Sequence, residues 1–227
     1  MTNLKYKLRR WISTLTIVAL LVVATFPLSS CSKSDAAIPE DVAERERLVS
    51  AEKVGTLSAG MLKQLAGAYA GSFQSQIKHD VAIYKVHYRT TFQGRETEAS
   101  GLVALPMNLS TPAPLLSVQH GTIFEHDEAP SAMNGGLTGF EVFASGGYIT
   151  LIPDYLGFGA SKNLLHPYYH RQSSGIAVVD MIKAAKTLYA QEGIADNGQL
   201  FLAGYSEGGY VTLAAQKEVE TNPQHGL

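Results

Sequence analysis

A single cysteine, Cys31, stands in 227 residues, so no disulfide can form within the chain. Basic residues are also scarce. There are 18 lysines and arginines against 20 acids, a formal net charge of −2, with no basic stripe. That balance gives no reason to expect nucleic-acid binding. Neither a G-x-G-x-x-G turn nor a P-loop lysine accompanies the glycine-rich segment near Ser206, so a nucleotide-binding loop lacks support there. No internal repeat is evident. What remains is ordinary globular material, 45% hydrophobic and 17% charged, enough for one sizeable core.

The first 30 residues read as a leader. Lys5, Lys7, Arg9 and Arg10 form a basic start, an apolar stretch follows from Trp11, and Leu28-Ser29-Ser30-Cys31 closes it. This tetrapeptide resembles the lipobox of bacterial lipoproteins. The resemblance implies that the Cys31 thiol takes a diacylglyceryl group and that Cys31 becomes the first mature residue. A plain secretory signal and an uncleaved membrane helix are the alternatives, since a span needs ~20 apolar residues. The leader holds four basic residues and no acid, so its removal takes the net charge from −2 to −6. Membrane contact would then come from the lipid rather than the fold. The expected location is the bacterial cell envelope, and Ser32 is compatible with an outer membrane or cell surface.

Three divisions follow: residues 1–30 as leader, 31–77 as a polar tether and N-terminal helical segment, and 78–227 as the main folded domain. Leu57, Met61, Leu62 and Leu65 have roughly helical spacing, which predicts a short helix or two before residue 78. From Asp80 the residues alternate, and "QGRE" separates two alternating runs, which predicts a hairpin. "APLLSVQ", "GGYITLIPDY" and "GQLFLAG" read as buried strands. "GLTGFEVFASGG", "SSGIAVVDMIKAAKTLYAQEG" and "EGGYVTLAAQKEVE" read as helices. In the second of these, Val178, Ile182, Ala185 and Tyr189 share one face. A hairpin followed by alternating strands and helices argues an α/β sheet, mostly parallel after its initial hairpin, with helices on both faces.

Gly204-Tyr205-Ser206-Glu207-Gly208 is the pattern that carries chemistry. A strand runs directly into it and a helix starts directly after it. The glycines relieve crowding where strand and helix meet, and the Ser206 hydroxyl stands clear as a nucleophile. Acyl transfer builds negative charge on a carbonyl oxygen, so two fixed N–H donors are needed. One is the backbone amide of Glu207. The other comes from His120-Gly121-Thr122 at the end of the third strand, Thr122 first and Gly121 as the alternative. His120 reads as a structural histidine holding that loop. His120, His126, Asp127 and Glu128 read as a solvated polar loop rather than a metal site. Asp154, opening "DYLGFGAS", reads as a cap for free loop amides.

Hairpin, "QHGT", "PDYLGFGAS" and "GYSEGG", in this order, resemble the α/β-hydrolase superfamily, and within it the secreted lipase and esterase branch. The resemblance covers roughly Lys78 to the C-terminus. It implies a carboxylic-ester hydrolase acting through an acyl-enzyme on Ser206, with no cofactor, no metal and a small-molecule ester or lipid as substrate. That superfamily orders its triad Ser, then Asp or Glu, then His. After Ser206 the chain offers Glu207, Glu218, Glu220 and His225, mostly on one helix. The expectation is therefore an N-terminal portion of such an enzyme, with acid and histidine supplied elsewhere and little turnover of its own. A serine peptidase or acyl-aminopeptidase of the same fold, and a non-catalytic lipid-anchored binding protein, are the alternatives.

The leader gives the first prediction. Metabolic labelling with a palmitate analogue should mark the wild type and leave Cys31→Ser unmarked; equal labelling of both would remove the lipoprotein reading.

Overall fold

The structure is a computed structural model that describes residues 46–67, 71–134 and 136–227. The leader, Cys31 and most of the tether lie outside the described residues. Six strands form one sheet: β1 (Leu48–Leu57), β2 (Val81–Phe92), β3 (Arg95–Pro106), β4 (Ala113–Gln119), β5 (Ile149–Pro153) and β6 (Asp196–Gly204). Their order is β1-β2-β3-β5-β4-β6. The first three pairings are antiparallel, and β5-β4 and β4-β6 are parallel.

Local chemistry explains the hairpin. Gln93 and Gly94 both have positive φ, 51° and 74°, and join the directly paired Phe92 and Arg95. Two consecutive left-handed residues make the turn whose twist matches the flanking strands. The central strands are buried on both faces. In β5, Ile149 and Leu151 join one core cluster while Ile152 joins the other. Parallel strands covered on both sides need this continuous apolar run.

Helices α1 (Ala59–Ala66) and α2 (Glu141–Ser145) cover one face, with Leu62 and Ala144 packed on Ile83, Leu102 and Ile152. Helices α3 (Arg171–Gln191) and α4 (Glu207–Thr221) cover the other. The predicted face of α3 is buried at Val178, Ile182, Ala185 and Tyr189. Its start differs: His170, not a serine, is the N-cap, its ring accepting from the Ser173 amide. Among the described residues no helix is long and apolar enough to cross a membrane.

One expectation needs correction. Of the segment before residue 78, Ala59–Ala66 is an α-helix, capped by the Ser58 side chain at the Met61 amide, and Gly71–Gln76 is a 3-10 helix, as the spacing predicts. Leu48–Leu57 is instead strand β1, so the sheet begins at Leu48 rather than after residue 78. Strand pairing with β2 overrides the local pattern there, because β-structure is set by cross-strand neighbours more than by propensity. Arg47, just before β1, is buried beside Asp180 of α3 at 3.2 Å and pins that edge to the core.

Helices α3 and α4 cross where Gly175 stands. A Cβ there would lie 2.7 Å from the Ala214 carbonyl oxygen. Gly175→Ala should therefore lower stability by about 1–3 kcal/mol through overpacking. Urea unfolding should show a reduced midpoint with an unchanged slope; an unaltered midpoint would mean the crossing is looser than described.

Candidate active site

Strand β6 delivers the chain into Ser206, and α4 starts at Glu207. Helix and strand meet at very short range. A Cβ on Gly204 would stand 2.3 Å from the Gly208 carbonyl oxygen, and one on Gly208 would stand 2.1 Å from that of Gln119. Only glycine fits at either place. The turn this forces leaves Ser206 at φ 55°, ψ −124°. A serine held with positive φ stores on the order of 1–3 kcal/mol of strain, the kind of outlier that clusters at functional sites. Ser206 is solvent-exposed. Its hydroxyl makes no hydrogen bond among the described residues.

The loop after β4 lies against this elbow. The Tyr205 ring covers Gly121, 2.7 Å from where a Cβ would stand. His120 is buried, its ring stacked on Tyr155 at 4.2 Å, and the Tyr155 hydroxyl donates to the His120 carbonyl at 2.8 Å. Burial lowers the His120 pKa against the pull of the Gly121 carbonyl and of Asp154, so the ring is neutral at pH 7. Its Nδ1 then donates to the Gly121 carbonyl at 2.7 Å. That carbonyl shares a planar trans peptide with the Thr122 N–H, so fixing one aims the other in the opposite direction. The amides of Thr122 and Glu207 both lack a hydrogen-bond acceptor among the described residues. Two free amides, one at the elbow and one on the loop packed against it, are what an oxyanion site requires.

A further pair was not foreseen from the sequence. Glu207 is buried, and its carboxylate accepts from His166 Nε2 at 2.7 Å. His166 Nδ1 donates to the Leu156 carbonyl at 2.6 Å. Both ring nitrogens thus face acceptors, which suits the imidazolium. The signal available in the sequence was Glu207 itself: an acid at the first position of a helix packed on a sheet needs a donor when buried. Nothing in "NLLHPYYH" marks His166 rather than His170 as that donor.

A model of the prolyl oligopeptidase family matches residues 138–222, from ahead of α2 to the end of α4. Among solved structures, a candidate hydrolase from Legionella pneumophila aligns at 32% identity with a TM-score of 0.71, over 78% of this chain and 49% of that one. The rice cell wall degrading esterase LipA from Xanthomonas oryzae aligns at 28% identity and TM-score 0.69, over 78% and 46%. The chain belongs to the α/β-hydrolase superfamily. Candida antarctica lipase A shares the fold at 20% identity and TM-score 0.52, over 82% and 42%. No curated protein sequence matches. The chain spans about half the length of the solved structures it resembles.

Within this superfamily the acid and histidine follow the serine in the chain. The structure places His225 beyond the far end of α4, a helix about 22 Å long at 1.5 Å per residue. There it is engaged by Glu218 at 3.1 Å and Lys183 at 3.0 Å. Asp154 is fully buried and accepts from the Ser100 hydroxyl at 2.6 Å and the Ser131 amide at 2.8 Å. Ser100 in turn accepts from the Ala160 amide, so Asp154 ties the segment after β5 to strand β3 and to the turn at Ser131. In the 122–128 loop, Glu128 accepts from the amides of Phe124 and Glu125, and His126 packs edge-on against Phe158. Hollows of about 500 and 460 Å³ lie elsewhere. The larger is at the opposite end of the parallel strands, by Met107 and Ile194, and the smaller is between α1 and α2.

The His166–Glu207 pair makes stability depend on pH. Burial alone would lower the His166 pKa, but the hydrogen bonds to Glu207 and Leu156 and the Glu207 charge outweigh it and raise it above 6.5. A group with a raised folded pKa contributes fully below its unfolded value and loses that contribution as pH rises through the folded one. His166→Gln should therefore be destabilised by about 2 kcal/mol at pH 6. The gap to wild type in urea midpoint should narrow toward pH 9, and a gap that widens with pH would exclude a charged His166.

Proposed function

We propose that Ser206 is the nucleophile of a carboxylic-ester hydrolase, with the oxyanion held by the backbone amides of Glu207 and Thr122. The single observation that carries this reading is the strained, exposed Ser206 at a strand-to-helix turn, with the Glu207 amide next to it and the Thr122 amide on the adjoining loop both free. Likeness to an esterase at 28% identity supports ester over other acyl substrates. In this reading a histidine outside the present sequence takes the Ser206 proton, and an acid holds that histidine in the productive tautomer. The Ser206 oxygen attacks the ester carbonyl, and the negative charge collects on the oxygen facing the two amides. The histidine returns its proton to the departing alcohol, leaving an acyl group on Ser206. Water, deprotonated by the same histidine, then releases the carboxylic acid and restores the serine. The substrate is a small-molecule ester or lipid, and Cys31 carries a lipid that holds the enzyme at the bacterial envelope. Gly121 is the alternative donor if Thr122 is not used.

The match to the prolyl oligopeptidase family favours a second reading, peptide-bond cleavage by the same machinery. Ester and amide substrates pass through the same tetrahedral intermediate, so the elbow serves either. Parallel assays on a p-nitrophenyl ester and a peptide p-nitroanilide separate the two.

A protein that carries a downstream acid and histidine should lose turnover on Ser206→Ala by about 10⁴-fold or more. A fluorophosphonate should label wild type at Ser206 alone. The 227-residue chain by itself should turn over little, since a serine without a base is a weak nucleophile. Retention of most activity in Ser206→Ala, with an unchanged circular dichroism spectrum, would overturn the assignment.

A further inference from the structure

Six rings run in series from the core to the surface beside Ser206. His120 stacks on Tyr155 at 4.2 Å, Tyr155 faces His166 at 6.2 Å, and His166 meets Tyr168 edge-on at 5.9 Å. Tyr168 stacks on Tyr169 at 4.2 Å, and Tyr169 lies 4.7 Å from Tyr210. His120 and Tyr155 are buried and hold the loop, while His166 and Tyr210 are half-buried. Tyr168 and Tyr169 are each 50% exposed.

This series is fastened to the elbow at three points. His166 bonds Glu207, the residue after Ser206. Tyr210, one helical turn beyond Ser206, donates its hydroxyl to the Tyr169 carbonyl at 2.6 Å. The Tyr168 hydroxyl is hydrogen-bonded to that of Thr122 at 3.3 Å, on the loop that offers the oxyanion amide. Segment 166–169 therefore runs along the first turn of α4. Tyr169 is held at φ 53°, an uncommon conformation for a bulky side chain. Two half-exposed, stacked tyrosines are fixed within the immediate surroundings of the nucleophile.

We propose that Tyr168 and Tyr169 form a ring-binding wall of the Ser206 site, so that the preferred esters carry an aromatic ring on the acyl or the alcohol side. This rests on the reading of Ser206 as the nucleophile. Aromatic rings attract one another in offset or edge-on arrangements beyond what burial alone supplies, and the wall is already ordered before a ligand arrives. A flexible alkyl chain gains less from a flat, rigid face, because it must itself be ordered to lie there.

Binding tests the wall independently of catalysis. In the Ser206→Ala chain, which cannot form an acyl-enzyme, methyl cinnamate, 2-phenylethyl acetate and methyl octanoate are titrated separately against protein labelled in its tyrosine rings. One or both ring esters should bind about fivefold or more tighter than methyl octanoate and shift the Tyr168 and Tyr169 resonances. Preference for the first places the ring on the acyl side, and for the second on the alcohol side. Tyr168→Leu should abolish the preference, while Tyr168→Phe should keep it. Equal affinity for all three esters, or an undiminished preference in folded Tyr168→Leu, would overturn the proposal. Ring-selective binding by the 227-residue chain, with no Ser206-dependent turnover by the protein that carries a downstream acid and histidine, would keep the wall and remove the hydrolase reading.

Discussion

The close approach of α4 to the end of β4 sets the geometry of everything around it. Gly208 sits so near the Gln119 carbonyl that no side chain fits, and Gly204 is equally tight against Gly208. With both ends fixed, the residues between must turn sharply, and Ser206 takes the positive φ that results. That conformation is unfavourable on its own and persists only where the surroundings over-determine it. Here they do so from two sides. His166 grips Glu207, and Tyr169 holds Tyr210 one turn on.

The His120–Thr122 loop, the proposed source of the second oxyanion donor, is held by a separate device. His120 acts on the Thr122 amide through the intervening peptide, by binding the carbonyl of Gly121. Its neutrality matters to this role. A neutral ring donates from one nitrogen only, and burial against Tyr155 favours that form. The wanted donors are thereby oriented before any substrate arrives, which is the condition under which backbone dipoles contribute most to a developing charge.

The legible parts of the molecule were those written in adjacent residues. A strand, a G-x-S-x-G turn and a helix occupy one contiguous stretch, so the elbow and its amide at Glu207 could be read directly. The hairpin turn at Gln93-Gly94 was legible for the same reason. Strand β1 was not. Lys53 and Glu52 suit a helix as well as an edge strand, and pairing with β2 decides between them. The His166–Glu207 pair joins residues 41 apart in sequence through a loop, and no periodicity encodes such a meeting. Nor did the sequence separate Tyr168 and Tyr169 from ordinary loop residues, since their meaning comes from where α4 lies.

A division of labour follows from where these groups sit. The exposed serine and the two free amides, the elements that must be placed most accurately, all lie at the ends of β4 and β6 and are fixed by main-chain contacts. In the proposed reading, each such amide contributes about 3 kcal/mol in the transition state when properly aimed. A base has looser requirements, since it has only to reach the serine hydroxyl from the solvent side, which the exposure of Ser206 leaves open. Strand β6 is the edge of the described sheet, and its outward residues, Phe201 among them, are exposed. An unpaired edge is a template for a further strand. A strand added there parallel to β6 would end at the same side of the sheet as β6, so the loop after it would lie at the end of the sheet where Ser206 stands.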